Sequence, residues 1–161
     1  MRTAVLAALL LSAAALAASV AAAGEVRRVG EVQEDYARNC QGCHRADGLG
    51  AYGSVPRIRG FAGLFTHLPE GREYLIRVPG VVWAMLDDAR LARLMNWMLE
   101  AYSRDELAPD FRPYTVEEIR EARRRPLANV GTVRARLIAE LQRRGLLPPG
   151  EDGLVSAKRV R

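Results

Sequence analysis

The reading of this chain turns on Tyr36-Ala37-Arg38-Asn39-Cys40-Gln41-Gly42-Cys43-His44. The residues leading into it, Glu31 to Asn39, predict a helix, because Val32, Tyr36 and Ala37 share one face at helical spacing. Two cysteines one helical turn apart follow, and His44 comes directly after the second. Beyond His44 the periodicity stops. Asp47-Gly48-Leu49-Gly50 and Tyr52-Gly53-Ser54-Val55-Pro56 carry Gly or Pro every few residues and read as loop.

Further out, helices alternate with punctuated connectors. Gly71 to Arg77 predicts a short helix stopped by Pro79-Gly80. Asp87 or Asp88 can cap a helix running to about Tyr102, with Leu91, Leu94, Met95 and Met98 on one stripe. Ser103 to Arg112 is a polar connector. Thr115 with Glu118 three residues on is a capping box, opening a helix to Arg125 that Pro126 ends. A last helix runs from about Thr132 to Arg144, with Val133, Leu137, Ile138 and Leu141 on one side and Gly145 as its stop. The stretch 148–161 reads as a disordered tail. No segment reads as a strand and no repeat is visible, so the expected class is all-α.

The N-terminus is set apart from the fold. Arg2 precedes an apolar run from Ala4 to Ala18, and Ala21-Ala22-Ala23 offers small residues for cleavage. That is the layout of a secretory signal peptide over residues 1–23, with a mature chain starting near Gly24. Left uncleaved, the run from Thr3 to Ala23 is just long enough to span a bilayer and anchor the chain. Export implies a periplasmic location. No later segment is apolar for long enough to cross a bilayer. Charge is uneven: residues 24–103 hold ten Arg and ten Asp or Glu, whereas 104–161 hold thirteen Arg or Lys and nine acids. The basic balance belongs to the tail, where cations alternate with acids as on a solvated helix face, so it does not point to nucleic acid.

Cys40-x-x-Cys43-His44 is the attachment pattern for a c-type haem. Two thiols one turn apart reach the two vinyl groups of one porphyrin, and the adjacent imidazole ligates the iron through Nε2. Three other chemistries use paired cysteines. A thioredoxin-like pair expects a preceding strand, and a helix precedes it here. A zinc site needs four ligands, and only His67 remains among the other Cys and His residues. A Cys40–Cys43 disulfide fits an export compartment and stays open.

Over roughly Gly30 to Tyr102 the chain resembles the class I c-type cytochromes. Tyr36 and Trp97 match the aromatics of that family's first and last helices, which cross and pack. Asp47-Gly48-Leu49-Gly50 matches the loop after the haem motif, and Leu86-Asp87-Asp88-Ala89 the start of the last helix. The resemblance implies a cytochrome c-like, haem-wrapping helical domain over 24–103, with 104–147 as an added extension of two helices. It implies one covalent haem c, with Cys40 and Cys43 bonded to it and His44 on the iron. Pro56 matches the proline whose carbonyl accepts the bond from the histidine Nδ1, fixing the ring.

The family's second iron ligand is a methionine, and the matching place here holds Val78-Pro79-Gly80. Met85 is the methionine in the loop and the first candidate for the sixth position, followed by an open iron and then His67, while Met95 and Met98 read chiefly as helix-packing residues. Arg57 and Arg59, flanking Ile58, are candidates for pairing with haem propionates, or are simply solvated. Val55, Ile58, Leu64, Phe65, Leu75, Ile76, Val81, Val82 and Trp83 are candidates for an apolar wall, with Phe61 and Phe65 as ring neighbours.

The implied function is single-electron transfer between periplasmic redox partner proteins, as a carrier or a subunit for a dehydrogenase, with no catalytic residue of its own. The alternative is a haem enzyme or gas-binding sensor with an open sixth position. Arg123-Arg124-Arg125 and Arg143-Arg144 are candidate contacts for an acidic partner, or ordinary surface.

Overall fold

The structure is a computed structural model and describes residue 25 and residues 27–154. The expected signal peptide, 1–23, and the end of the expected tail, 155–161, lie outside the described residues. The chain divides into two compact units, residues 1–34 and 35–161. In the first, residues 27–34 are helical, and Arg27 Nε stands 3.5 Å from Glu31 Oε1 one turn on. Such an exposed pair contributes little to stability.

The second unit is built of helices. Helical residues 35–39 (α1) lead into Gln41–His44 (α2). A 3₁₀ segment, Ala62–His67, then precedes Pro69–Arg77 (α3), Pro79–Val82 (α4) and Asp88–Ser103 (α5). After a 3₁₀ turn at Arg104–Glu106 come Val116–Arg124 (α6) and Val130–Arg143 (α7). Among the described residues there is no strand, only an isolated bridge between Ala51 and Val55. The class is all-α. No helix among the described residues is long and apolar enough to cross a membrane.

Local chemistry sets the helix starts. Asp87 caps α5 by accepting the Arg90 amide at 2.8 Å. Thr115 and Glu118 form the reciprocal capping box of α6. Pro69 begins α3, two residues before the expected start, because its fixed φ suits a first helical position and its missing N–H has no intrahelical acceptor there. Pro79 does the same for α4, so Val78-Pro79-Gly80 ends one helix and starts a short second one. Asn129 accepts the Thr132 amide at 3.1 Å, which starts α7 at Val130.

α5 is the spine of the core. Leu91, Leu94, Met95, Met98 and Leu99 are buried along it, and Ile119 of α6 and Leu137, Ile138 and Leu141 of α7 complete the interior. Each such side chain stabilises the fold by roughly 1.5–3 kcal/mol. Asp35, only 3% exposed, accepts the Arg90 fork through both oxygens and ties α1 to α5.

Residues 104–154 belong to the same compact unit as the segment holding the cysteines. Asn96 and Tyr114 exchange two bonds: the side-chain amide donates to the Tyr114 carbonyl at 3.0 Å, and the Tyr114 amide donates to Asn96 Oδ1 at 2.7 Å. Arg72 of α3 reaches Glu118 at 3.1 Å and lies against the Tyr114 ring, 4.1 Å from its centroid. Arg123 donates to the carbonyls of Ala84 and Leu86 at 3.1 and 2.7 Å, so it brackets a loop and is not a free docking cation. Arg124 and Arg125 pair with Glu121, and Arg143 and Arg144 with Glu140.

The start of the expected disordered tail, residues 148–154, folds back on the molecule. The Gln142 side-chain Nε2 donates to the Glu151 carbonyl at 3.1 Å, and the Arg57 backbone amide to the Gly153 carbonyl at 2.9 Å. A composition rich in Pro and Gly reads as unstructured, but these residues make the turns of a return loop.

Candidate metal and cofactor site

The site starts from the way the first helical stretch continues through the cysteines. The Cys40 amide donates to the Tyr36 carbonyl at 2.9 Å and the His44 amide to the Cys40 carbonyl at 2.9 Å. This keeps Cys40, Cys43 and His44 within one helical turn, and all three line a cavity of about 380 Å³. Its other walls include Ile58, Phe61, Phe65, Leu75, Val81, Met95 and Met98. A mostly apolar hollow of this size falls in the usual range for cofactor sites, roughly 300–1,000 Å³.

His44 is aimed by its neighbour across the loop. Its Nδ1 lies 3.1 Å from the Pro56 carbonyl, which can only accept, so Nδ1 carries the proton and donates. That leaves Nε2 with its lone pair. Burial lowers the His44 pKa, the bond to Pro56 partly opposing it, so the neutral ring that a metal requires is favoured. Gly50 makes this approach possible. Its φ is +73°, and a Cβ there would stand 2.3 Å from the Val55 carbonyl oxygen and 2.8 Å from that of Pro56. Only glycine lets the two limbs of the loop come so close.

The two thiols differ. Cys43 is exposed, whereas Cys40 is partly buried, and burial pushes its thiol up to about 11, helped by Asp35 and Cys43. A redox-exchange pair needs the opposite, a depressed thiolate. Among the described residues no group of three or more His, Cys, Asp or Glu side chains gathers around a point, so the four protein donors of a structural zinc site are not assembled there.

An aromatic clamp holds the motif from behind. Tyr36, Trp97 and Tyr102 contact one another with centroids 5.2–5.6 Å apart. The Tyr36 hydroxyl donates to the Arg45 carbonyl at 2.8 Å and the Tyr102 hydroxyl to that of Ala46 at 2.9 Å. The first and last helices of the resemblance are thus joined, and they grip the residues just after His44.

The remaining expected site residues separate. Arg57 lines the cavity. Arg59 does not: its Nε donates to the Asp47 carbonyl at 2.6 Å and its guanidinium covers Tyr102 at 4.9 Å. Met85 is 93% exposed and not among the lining residues. His67 is also off the cavity, its Nε2 donating to the Glu106 carbonyl at 3.1 Å. Trp83, expected in the wall, is 70% exposed. Phe61 and Phe65 do pack edge to face, centroids 5.8 Å apart. Sequence reasoning missed Tyr74 and Arg134 as lining residues and read Met95 and Met98, which also line the cavity, chiefly as helix packing. The methionines lie on a stripe that reads equally as core, and Arg134 carries no local signal.

The donors fit a covalently held haem: two thiols, an oriented imidazole and apolar walls meet at one hollow. The chain is similar to cytochrome c-552. Two such proteins from Thermus thermophilus are each 29% identical to it over 106 residues. The match covers 55% of this chain, and 81% and 72% of the two relatives. No family model matches the chain.

Proposed function

We propose that this chain is an exported c-type cytochrome with one covalent haem, passing single electrons between periplasmic redox proteins as a carrier or dehydrogenase subunit. The observation that carries the reading is Cys40, Cys43 and His44 lining one apolar cavity, with His44 Nδ1 spoken for by Pro56. The likeness to cytochrome c-552 supports an electron-transfer cytochrome. Bound there, a haem supplies one-electron chemistry. The chain's part is to hold it by two thioethers, keep the imidazole in one tautomer and surround the ring with low-dielectric walls.

A second reading, a haem enzyme or gas sensor with an open sixth position, is favoured by one observation. Met85 and His67, the two expected ligands, both stand away from the cavity. Apart from the cysteines, the sulfur atoms lining it belong to Met95 and Met98. Were a methionine to ligate a bound iron, which would raise the potential, Met95 and Met98 are the methionines placed on the cavity to do so.

The test is expression of the full chain in a host that matures c-type cytochromes. The expected product keeps its colour through acidic acetone extraction, gains one porphyrin mass and starts near Gly24. A colourless chain overturns the reading. A far-red charge-transfer band in the oxidised spectrum supports electron transfer through a methionine-ligated iron. A high-spin spectrum that shifts when carbon monoxide meets the reduced protein supports the open-site reading.

A further inference from the structure

A single tyrosine lines the cavity, and electron transfer makes no use of it. The wall supplied by α3, α4 and the residue between them is Tyr74, Leu75, Val78, Pro79, Gly80 and Val81. Of these only Tyr74 has a side chain that hydrogen-bonds, and among the described residues its hydroxyl is the only one on the hollow. Tyr74 is 7% exposed, so the hydroxyl sits where a phenylalanine would pack as well. A polar group in such a place is costly unless it has something to bond.

Its position is held from two sides. Gly71 lets α3 sit directly on the 3₁₀ segment, because a Cβ there would stand 2.2 Å from the Phe65 carbonyl oxygen. The Phe65 ring then packs on the Tyr74 ring, centroids 5.1 Å apart. Arg134 of α7 lies beside the hydroxyl and pulls its pKa down, but burial outweighs it and the net shift is upward. The phenol therefore keeps its proton at neutral pH, and the neighbouring cation polarises it into a stronger donor.

The level along α3 matters too. Val78 follows Tyr74 by four residues and belongs to the stretch that stands where the resemblance expects the second iron ligand. Side chains four apart share a helix face, and both residues line the cavity. Val78 offers a metal no donor atom, and one turn away stands a hydroxyl able to donate.

Resting on the open-site reading above, we propose that Tyr74 is a ligand-binding residue whose hydroxyl donates a hydrogen bond to a small anion held at the sixth position of the bound haem. The ligand is small because a porphyrin leaves little room in a hollow of about 380 Å³. It is anionic because a hydroxyl bonds a charged acceptor more strongly than a neutral one. Leu75, Val78 and Val81 add no competing donor and lower the local dielectric, so that one bond carries the selectivity.

The experiment uses mature holoprotein, with porphyrin mass confirmed for every variant. Azide is titrated into the oxidised form and carbon monoxide into the reduced form, each followed by absorption. Wild type binds both. Tyr74→Phe weakens azide binding by about ten-fold or more, as loss of a bond to a charged group does, and leaves carbon monoxide, a poor acceptor, nearly unchanged. Tyr52→Phe, at an exposed tyrosine off the cavity, binds azide as wild type does. Val78→Met places a thioether on the same wall, abolishes azide binding and brings in the far-red methionine band. Azide curves for Tyr74→Phe that superimpose on wild type overturn the proposal. So does an equal loss of carbon monoxide affinity in Tyr74→Phe, an equal loss of azide affinity in Tyr52→Phe, or wild-type azide binding by Val78→Met. Wild-type protein that binds neither ligand, or already shows the methionine band, overturns the open-site reading itself and the proposal with it. A colourless chain overturns the haem reading beneath both.

Discussion

The rings of Tyr36 and Trp97 meet edge to face, with centroids 5.6 Å apart and planes inclined at 61°. This contact joins the start of the compact unit to α5, and Tyr36 extends it by donating to the Arg45 carbonyl beside His44. Edge-to-face geometry sets the positive rim of one ring on the negative face of the other. The contact is therefore a specific joint between two helices, and its other end rests on the residues that follow the histidine.

Breaking that joint should be measurable as a coupling. In a double-mutant cycle of Tyr36→Ala and Trp97→Ala, read by chemical unfolding of the holoprotein, the coupling is expected at about 0.5–1.5 kcal/mol. Tyr36→Phe alone keeps the ring but loses the bond to Arg45, and is expected to cost about 1 kcal/mol. A coupling near zero would contradict the joint.

Two glycines should respond oppositely to alanine. At Gly153 the backbone is left-handed and the Phe61 ring blocks a Cβ, so Gly153→Ala is expected to lower stability clearly, by more than about 1 kcal/mol. At Gly131, inside α7, a Cβ meets nothing within 4 Å, so Gly131→Ala is expected to stabilise by up to about 1 kcal/mol. Parallel thermal melts of the two variants decide it.

Acid should weaken the union of the extension with α3. Burial alone would raise the Glu118 carboxyl, but the Thr115 amide and Arg72, with Arg112, outweigh it and hold its pKa below the ordinary value. With the folded pKa the lower of the two, ionised Glu118 stabilises the fold fully above the unfolded value. That contribution is lost as pH falls through the folded one. Glu118→Gln should therefore be less stable than wild type at neutral pH, and the gap should close in acid. A gap that stays constant down to low pH would refute the linkage.

The exposed Met85 and the occupied His67 lead to a spectroscopic expectation. Met85→Leu and His67→Asn should each give an oxidised absorption spectrum that superimposes on wild type. Loss of a methionine–iron band in Met85→Leu, or a change to high spin in His67→Asn, would contradict their placement.

What is legible without coordinates rests on short spacings. Cys40, Cys43 and His44 are close in sequence, so a single helical turn decides where they sit. The caps at Asp87 and Thr115 are settled within four residues of backbone. Sequence reasoning failed where the direction of a side chain depends on a loop's path. Met85 and Trp83 follow α4 in a turn that points them outward, and of Arg57 and Arg59, two residues apart, only the first reaches the cavity.

The chain by itself determined an all-α class and a cysteine–histidine turn, because each follows from periodicity or from a motif a few residues long, while the resemblance implied the bracing aromatics Tyr36 and Trp97 and the Pro56 carbonyl over His44. Only the tertiary structure decided which arginines face the cavity and that the final loop closes against Phe61. Those relations join residues distant along the chain, and they exist because packing around α5 buries the apolar stripes of the helices together. Burial is blind to sequence separation, which is why no local pattern in the vicinity of Arg134 announces it.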